Sequence, residues 1–365
     1  AYALQEQAQR READALAGYM RAMFSSANPA LAQGRAVTIG DFIGDAGQRL
    51  ENELVQAPAA RARLRTTLAE THKALGDLPR AIDYYRAAQR DFMAAEVQGV
   101  EFELAVVGEA RALLDNGRVR EARQRLDALL EAAAGMPVTP PRASARLHLA
   151  AALSALGEYQ EAREAFIAGL EALAEVRGQE CPGCLPGWST RLEVWARSLL
   201  SVLESESGDL RAALASAESA HARARTGLGE GDPDTQLALV HVALAHQAAG
   251  ATDRALALLR PALAERQRLL GTSHWQTLTA ANNLAWALEA AGQGEEAQRV
   301  YREALDRAGQ GLDRGRPELA TLEANLGHLL FAKGQVAEAE ELIASAYARR
   351  IERLGATHPD TLKSA

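Results

Sequence analysis

Small and large apolar positions recur along this chain at fixed distances from seven glycines: Gly76, Gly117, Gly157, Gly208, Gly250, Gly292 and Gly334. Seven residues before each glycine stands a small residue (Ala69, Ala110, Ala150, Ser201, Ala243, Ala285, Gly327). Five residues after each stands an alanine (Ala81, Ala122, Ala162, Ala213, Ala255, Ala297, Ala339). A larger column lies eight before (Leu68, Glu109, Leu149, Leu200, Val242, Leu284, Leu326), apolar except at Glu109. Nine after come Tyr85, Leu126, Phe166, Ala217, Leu259, Tyr301 and Ile343, and twelve after come Ala88, Leu129, Gly169, Ala220, Ala262, Ala304 and Ala346. These offsets predict two antiparallel helices per unit, meeting where small residues let the backbones approach. The glycine supplies the left-handed residue that ends the first helix.

The steps between glycines are 41, 40, 51, 42, 42 and 42 residues. A period that regular predicts an all-α chain, a right-handed α-solenoid of about seven helix-turn-helix repeats, in which each unit buries its core against its neighbours. The array is expected over residues 58–365, with the long step explained by a loop insertion at 177–187. Ahead of it, residues 1–57 read as N-terminal stalk and capping helices. Leu4, Ala8, Leu16, Met20 and Phe24 share one side of a first helix, Ser25 to Pro29 break it, and Thr38 with Asp41 form a capping box that opens a second helix ending near Gln56. The chain begins with Ala, and its last residues open a unit that is not completed, so it reads as a fragment of a longer protein.

Small residue, turn glycine, alanine, aromatic and final alanine in this order resemble the tetratricopeptide repeat, over roughly residues 58 to 350. That repeat has a usual period of about 34 residues, so 42 implies about one additional turn in each helix. The later units are also similar to the long repeats of kinesin light chain and its bacterial relatives. The matching pieces are Gly231-Asp232-Pro233-Asp234-Thr235, Ser273-His274-Trp275-Gln276-Thr277 with Asn282-Asn283-Leu284-Ala285, Arg316-Pro317-Glu318 with Asn325-Leu326-Gly327, and His358-Pro359-Asp360-Thr361. In these lead-in motifs Pro suits the first helical turn, and Asp or Thr can cap unpaired amides. The resemblance implies a peptide-clamping groove lined by the first helix of each unit. An Asn nine residues before the turn glycine would hold ligand backbone, a place filled by Asn283, Asn325 and, one period earlier, His241. Thr279, Asn282, Trp286, Glu289, Thr321 and His328 are expected around them. The alternative is that such Asn side chains bond to the backbone of a neighbouring repeat.

The segment from Met23-Phe24 through Asn28-Pro29, Gly34-Arg35, Val37-Thr38, Leu50-Glu51 and Glu53-Leu54 resembles the stretch that follows the membrane helix in bacterial receptor-like Ser/Thr kinases with a C-terminal repeat region. In such proteins the repeats face the periplasm.

Composition narrows the ligand. Hydrophobic residues reach 48% but aromatics only 5%, a helix-favouring balance rich in Ala and Leu. A net charge of -8 offers no basic face for phosphates, which argues against nucleic acid and leaves a protein or peptide ligand. No run of apolar residues is long enough to span a bilayer, so any membrane attachment would come from an upstream helix. Cys181 and Cys184, inside the insertion, supply two of the four ligands zinc needs; they would form a local disulfide in the periplasm and remain two free thiols in the cytosol. His241 and His246 are five apart and do not share a helix face, so no metal site is expected, and no cofactor. The charged run Arg118 to Arg125 reads as a solvated helix face. There is no glycine-rich phosphate loop, no His-Arg-Asp and no Asp-Phe-Gly, so the chain is expected to be non-catalytic even if its parent protein is a kinase.

The expected function is the protein- or peptide-binding sensor region of a bacterial transmembrane Ser/Thr kinase, periplasmic and tethered to the inner membrane, with the N-terminal helix a candidate for pairing two copies. The rival expectations are a soluble cytoplasmic scaffold and the periplasmic part of a membrane-bound transcription regulator.

Overall fold

The computed structural model describes residues 54–181, 184, 186–309 and 317–354, with isolated positions at 18, 44, 46, 47, 49, 50 and 361. The expected stalk over 1–57 and the last lead-in motif, His358 to Thr361, therefore fall almost wholly outside the described residues. Among the described residues there are fourteen long helices and no strand, so the fold is all-α. In chain order they are α1 Pro58–Ala74, α2 Leu78–Ala94, α3 Val100–Asp115, α4 Val119–Ala132, α5 Pro140–Ala155, α6 Tyr159–Glu175, α7 Trp188–Glu206, α8 Leu210–Gly227, α9 Pro233–Ala248, α10 Thr252–Leu270, α11 Trp275–Ala290, α12 Gly294–Gly309, α13 Pro317–Ala332 and α14 Val336–Leu354.

Each of the seven turn glycines sits at φ between 73° and 84°, a left-handed conformation that costs an L side chain about 1–2 kcal/mol. The residue after each glycine donates its backbone N–H to the carbonyl five residues earlier, as in Asp77 to His72 (2.9 Å), Ala251 to His246 (2.8 Å) and Gln335 to Leu330 (2.9 Å). That closure satisfies carbonyls at the end of the first helix and reverses the chain within two or three residues. Where the next residue is aspartate it caps the second helix: Asp77 accepts from Arg80 N, and Asp209 accepts from Ala212 N.

Of the two residue types expected to cap in the lead-in motifs, Asp does so and Thr does not. Asp232 Oδ1 accepts from Asp234 N at 2.9 Å and His274 Nδ1 accepts from Gln276 N at 3.3 Å, so the residue just before each helix is the cap. Buried Thr235 and Thr277 instead donate to the carbonyls of Gly229 and Gly271, at 2.7 and 2.8 Å. A hydroxyl can donate as well as accept, and here the acceptor is the chain end of the preceding helix.

The chain divides into two compact units. Unit 1 comprises residues 1–158 and 167–184, and unit 2 residues 159–166 and 185–365, so α6 is shared between them. In unit 1, Tyr85, Leu113 and Leu126 are fully buried with Ala69, Ala81, Ala110 and Ala122 packed among them. Gly108, beside this core, has no room for a methyl group, since an added Cβ would lie 2.3 Å from the Tyr85 ring. In unit 2 the core gathers Leu259, Leu284, Leu288, Tyr301, Leu326 and Leu330 around Ala243, Ala255, Ala285 and Ala297. The small columns before the glycine and the alanine columns after it are buried throughout, which is how paired helices approach closely enough to exclude water.

Candidate functional site

Within unit 2, the first helices of three successive repeats, α9, α11 and α13, pack side by side. Positions 13, 9, 6 and 3 residues before each turn glycine fall on one stripe of a helix, because spacings of three and four return to the same face. On α9 the stripe carries Leu237, His241, Leu244 and Gln247; on α11 Thr279, Asn283, Trp286 and Glu289; on α13 Thr321, Asn325, His328 and Phe331. The large side chains on it stay open to solvent: Trp286 is 48% exposed, Phe331 63% and Leu237 45%.

Between α11 and α13, Asn325 Nδ2 donates to Asn282 Oδ1 at 2.8 Å. One residue away, Asn283 is partly exposed and its side-chain amide makes no hydrogen bond among the described residues. Glu289 lies beside the buried Tyr301 of α12, whose hydroxyl also sits next to Asn325 but has no hydrogen bond of ordinary geometry to either. Burial raises the Glu289 carboxyl above its usual range, opposed by Tyr301 and by the neighbouring His328. Burial, followed by the Glu289 charge, also raises the Tyr301 phenol.

On α9, His241 Nδ1 and Gln247 Oε1 are both shielded from solvent without a hydrogen-bond partner among the described residues. Burial holds the His241 imidazole below its ordinary value, so it is neutral at pH 7 and able both to donate and to accept. A buried polar atom left unpaired costs about 1–3 kcal/mol.

The structure thus brings Asn282, Asn325, Glu289 and His328 together on adjoining helices, with Asn283, Trp286 and His241 on the same stripe. It ties Thr279 into its own helix, donating to the Trp275 carbonyl at 3.0 Å, and gives Thr321 a partner in Arg350, 3.4 Å away. Sequence reasoning missed Phe331, Leu237 and Gln247, although they occupy the columns of Glu289 and Thr279 and could have been found by extending those columns to every repeat.

Cys181 and Cys184 are joined by a disulfide, with Cα atoms 5.4 Å apart, shortly after the end of α6. Among the described residues no group of three or more His, Cys, Asp and Glu could hold a metal ion. No helix among them is long and apolar enough to cross a membrane.

Comparison with known proteins agrees with the repeat. Family models of the tetratricopeptide repeat match residues 234–310, 142–180 and 324–360. No curated protein matches the chain by sequence. Among solved structures, the apo form of RapI is similar at 12% identity over 80% of this chain and 98% of its own, with a TM-score of 0.57. NprR in complex with its cognate peptide NprX is similar at 13% identity over 90% of this chain and 84% of that one, TM-score 0.52. A kinesin-light-chain-type protein of Podosopora anserina with nearly identical TPR-like repeats is similar at 24% identity over 56% of this chain and 94% of that one, TM-score 0.46. Models of the tetratricopeptide repeat thus match three segments of a chain whose described residues form an all-α repeat fold.

Proposed function

We propose that the chain is a non-catalytic binding region that holds an extended polypeptide segment along α9, α11 and α13. We further propose that it is the periplasmic sensor of a bacterial transmembrane Ser/Thr protein kinase. The observation that carries the binding reading is the unused amide of Asn283 beside the exposed Trp286 ring, on one stripe with the unpaired His241 Nδ1 and Gln247 Oε1. An amide can donate to and accept from a peptide bond, and an indole offers a stacking face. The Asn282 to Asn325 bond supports the same reading, because it uses one donor to align two helices and leaves Asn283 available. NprR, solved with its cognate peptide, supports a peptide as the kind of occupant such a fold can take.

The kinase assignment draws on the resemblance of the segment from Met23 to Leu54, nearly all of it outside the described residues. The Cys181–Cys184 disulfide supports an oxidising compartment such as the periplasm. Binding would signal by favouring one arrangement of the tether over another, by as much as the ligand's affinities for the two differ.

Replacing Asn283 and Trp286 together with Ala tests the groove: partner recovery by the purified chain should be lost while the helical circular dichroism and the melting curve stay unchanged. Undiminished recovery would sink the assignment. Reading the coding sequence upstream of Ala1 tests the rest, since a kinase domain followed by a membrane helix is required.

A further inference from the structure

We infer that the unit 2 groove selects a basic side chain of its ligand, arginine above all, at the place where Trp286, Glu289, His328 and Phe331 meet. The inference rests on the groove reading above and names what the groove prefers. Asn282 bonds Asn325, and Glu289 interacts electrostatically with His328, so residue numbers rise in the same direction on α11 and α13. With that register, Trp286 and Glu289 on α11 lie beside His328 and Phe331 on α13, each pair one helical turn apart.

The charge balance of this patch is one-sided. Glu289 makes no ion pair with Lys or Arg among the described residues. Lys333, near the C-terminal end of α13, is already engaged by Glu295 at 2.7 Å and by Gln298. No Lys or Arg occupies the stripe on α9, α11 or α13 at the positions nine, six and three before the glycine. Arg350, which touches Thr321, lies toward the opposite end of α13, roughly 15 Å along the axis by helical rise. Glu289 is partly buried, so an opposite charge there interacts more strongly than it would in open water.

Two aromatic faces complete the complement. Trp286 and Phe331 are both about half exposed or more, in a chain with few aromatics. A guanidinium can stack on an indole face while donating in parallel to a carboxylate, whereas a compact ammonium does this less well. An acidic ligand would meet Glu289 with like charge and no compensating cation.

A random dodecapeptide phage library panned on the immobilised wild-type chain, the E289Q chain and the N283A/W286A chain separates the outcomes. The wild type should enrich peptides with Arg at one fixed position, and E289Q should still enrich peptides but without that preference. A selected peptide resynthesised with citrulline in place of Arg should lose roughly tenfold affinity for the wild type, the size of effect expected for a charge-assisted hydrogen-bonded pair. This arm needs no folded variant. Enrichment with no basic preference, or an unchanged affinity on citrulline replacement, overturns the inference and leaves the groove intact. Enrichment of the same peptides by N283A/W286A, or of none by the wild type, overturns the groove reading and this inference with it.

Discussion

Arg86 Nε donates to Glu109 Oε1 at 2.7 Å, reaching from α2 into a column of α3 that is apolar in every other repeat. Glu109 is fully buried, and its second oxygen accepts from Gln89 Nε2 at 2.8 Å and from Arg125 of α4 at 3.0 Å. The anomaly in the column is thus a charge held by two arginines and an amide. Arg125 is correspondingly not part of a simply solvated face, as the charged run Arg118 to Arg125 had suggested.

Because both arginines are partly exposed and can turn toward water, Glu109→Leu should leave stability within about 1 kcal/mol of the wild type. Replacing Arg86 and Arg125 together with Leu strands the buried carboxylate and should cost about 3 kcal/mol. Urea denaturation of both variants checks this; equal losses would mean that the network stabilises more than a hydrophobic replacement can.

Gly327→Ala should destabilise unit 2 by about 1–3 kcal/mol. Its new Cβ would lie 2.7 Å from Ile343 Cγ1 and 3.2 Å from the Ala339 carbonyl oxygen, and the carbonyl cannot swing away as a side chain can. Gly294→Ala is the control, since nothing nearer than Leu329 at 3.8 Å would meet the added carbon. Melting temperatures should fall for the first and hold or rise for the second.

Thr277→Val and Thr235→Val keep the shape of the side chain and remove the hydroxyl bonded to Gly271 or Gly229. Each should cost about 1 kcal/mol by removing the hydrogen bond that the buried threonine donates to the end of the preceding helix. Additive losses in the double variant would show that the two lead-in motifs act independently; a loss no larger than either single change would contradict that role.

Burial and the nearby Arg111 push the His148 imidazole down from its ordinary 6.5 to about 3, effects only partly offset by its 2.7 Å bond to the Ser144 carbonyl. The native state therefore binds this proton less readily than the unfolded chain. The associated stability is present above pH 6.5 and is lost as pH falls toward 3, with a slope of up to about 1.4 kcal/mol per pH unit. Denaturation midpoints measured between pH 4 and 7 should flatten for His148→Gln; an unchanged slope would assign the acid sensitivity to other groups.

Periodicity by itself determined the helix pairs, because a turn glycine, a small residue and an alanine at fixed offsets satisfy local backbone geometry and near-neighbour packing, and both are written in short stretches of chain. It also marked Asn282, Asn283 and Asn325 as one group. Tertiary structure alone decided which of them pair: Asn325 and Asn282 bond each other 43 residues apart, while the Asn283 side chain has no hydrogen bond among the described residues, a one-position difference in helical phase. The same holds for Glu109, whose burial looked like a violation until Arg86 and Arg125 arrived from two other helices. Side-chain pairing across repeats depends on rotations and approaches that no single repeat encodes. The columns that hold Trp286, Glu289, His328 and Phe331 can be read from the repeat, and the packing of α11 beside α13 is what brings them next to one another.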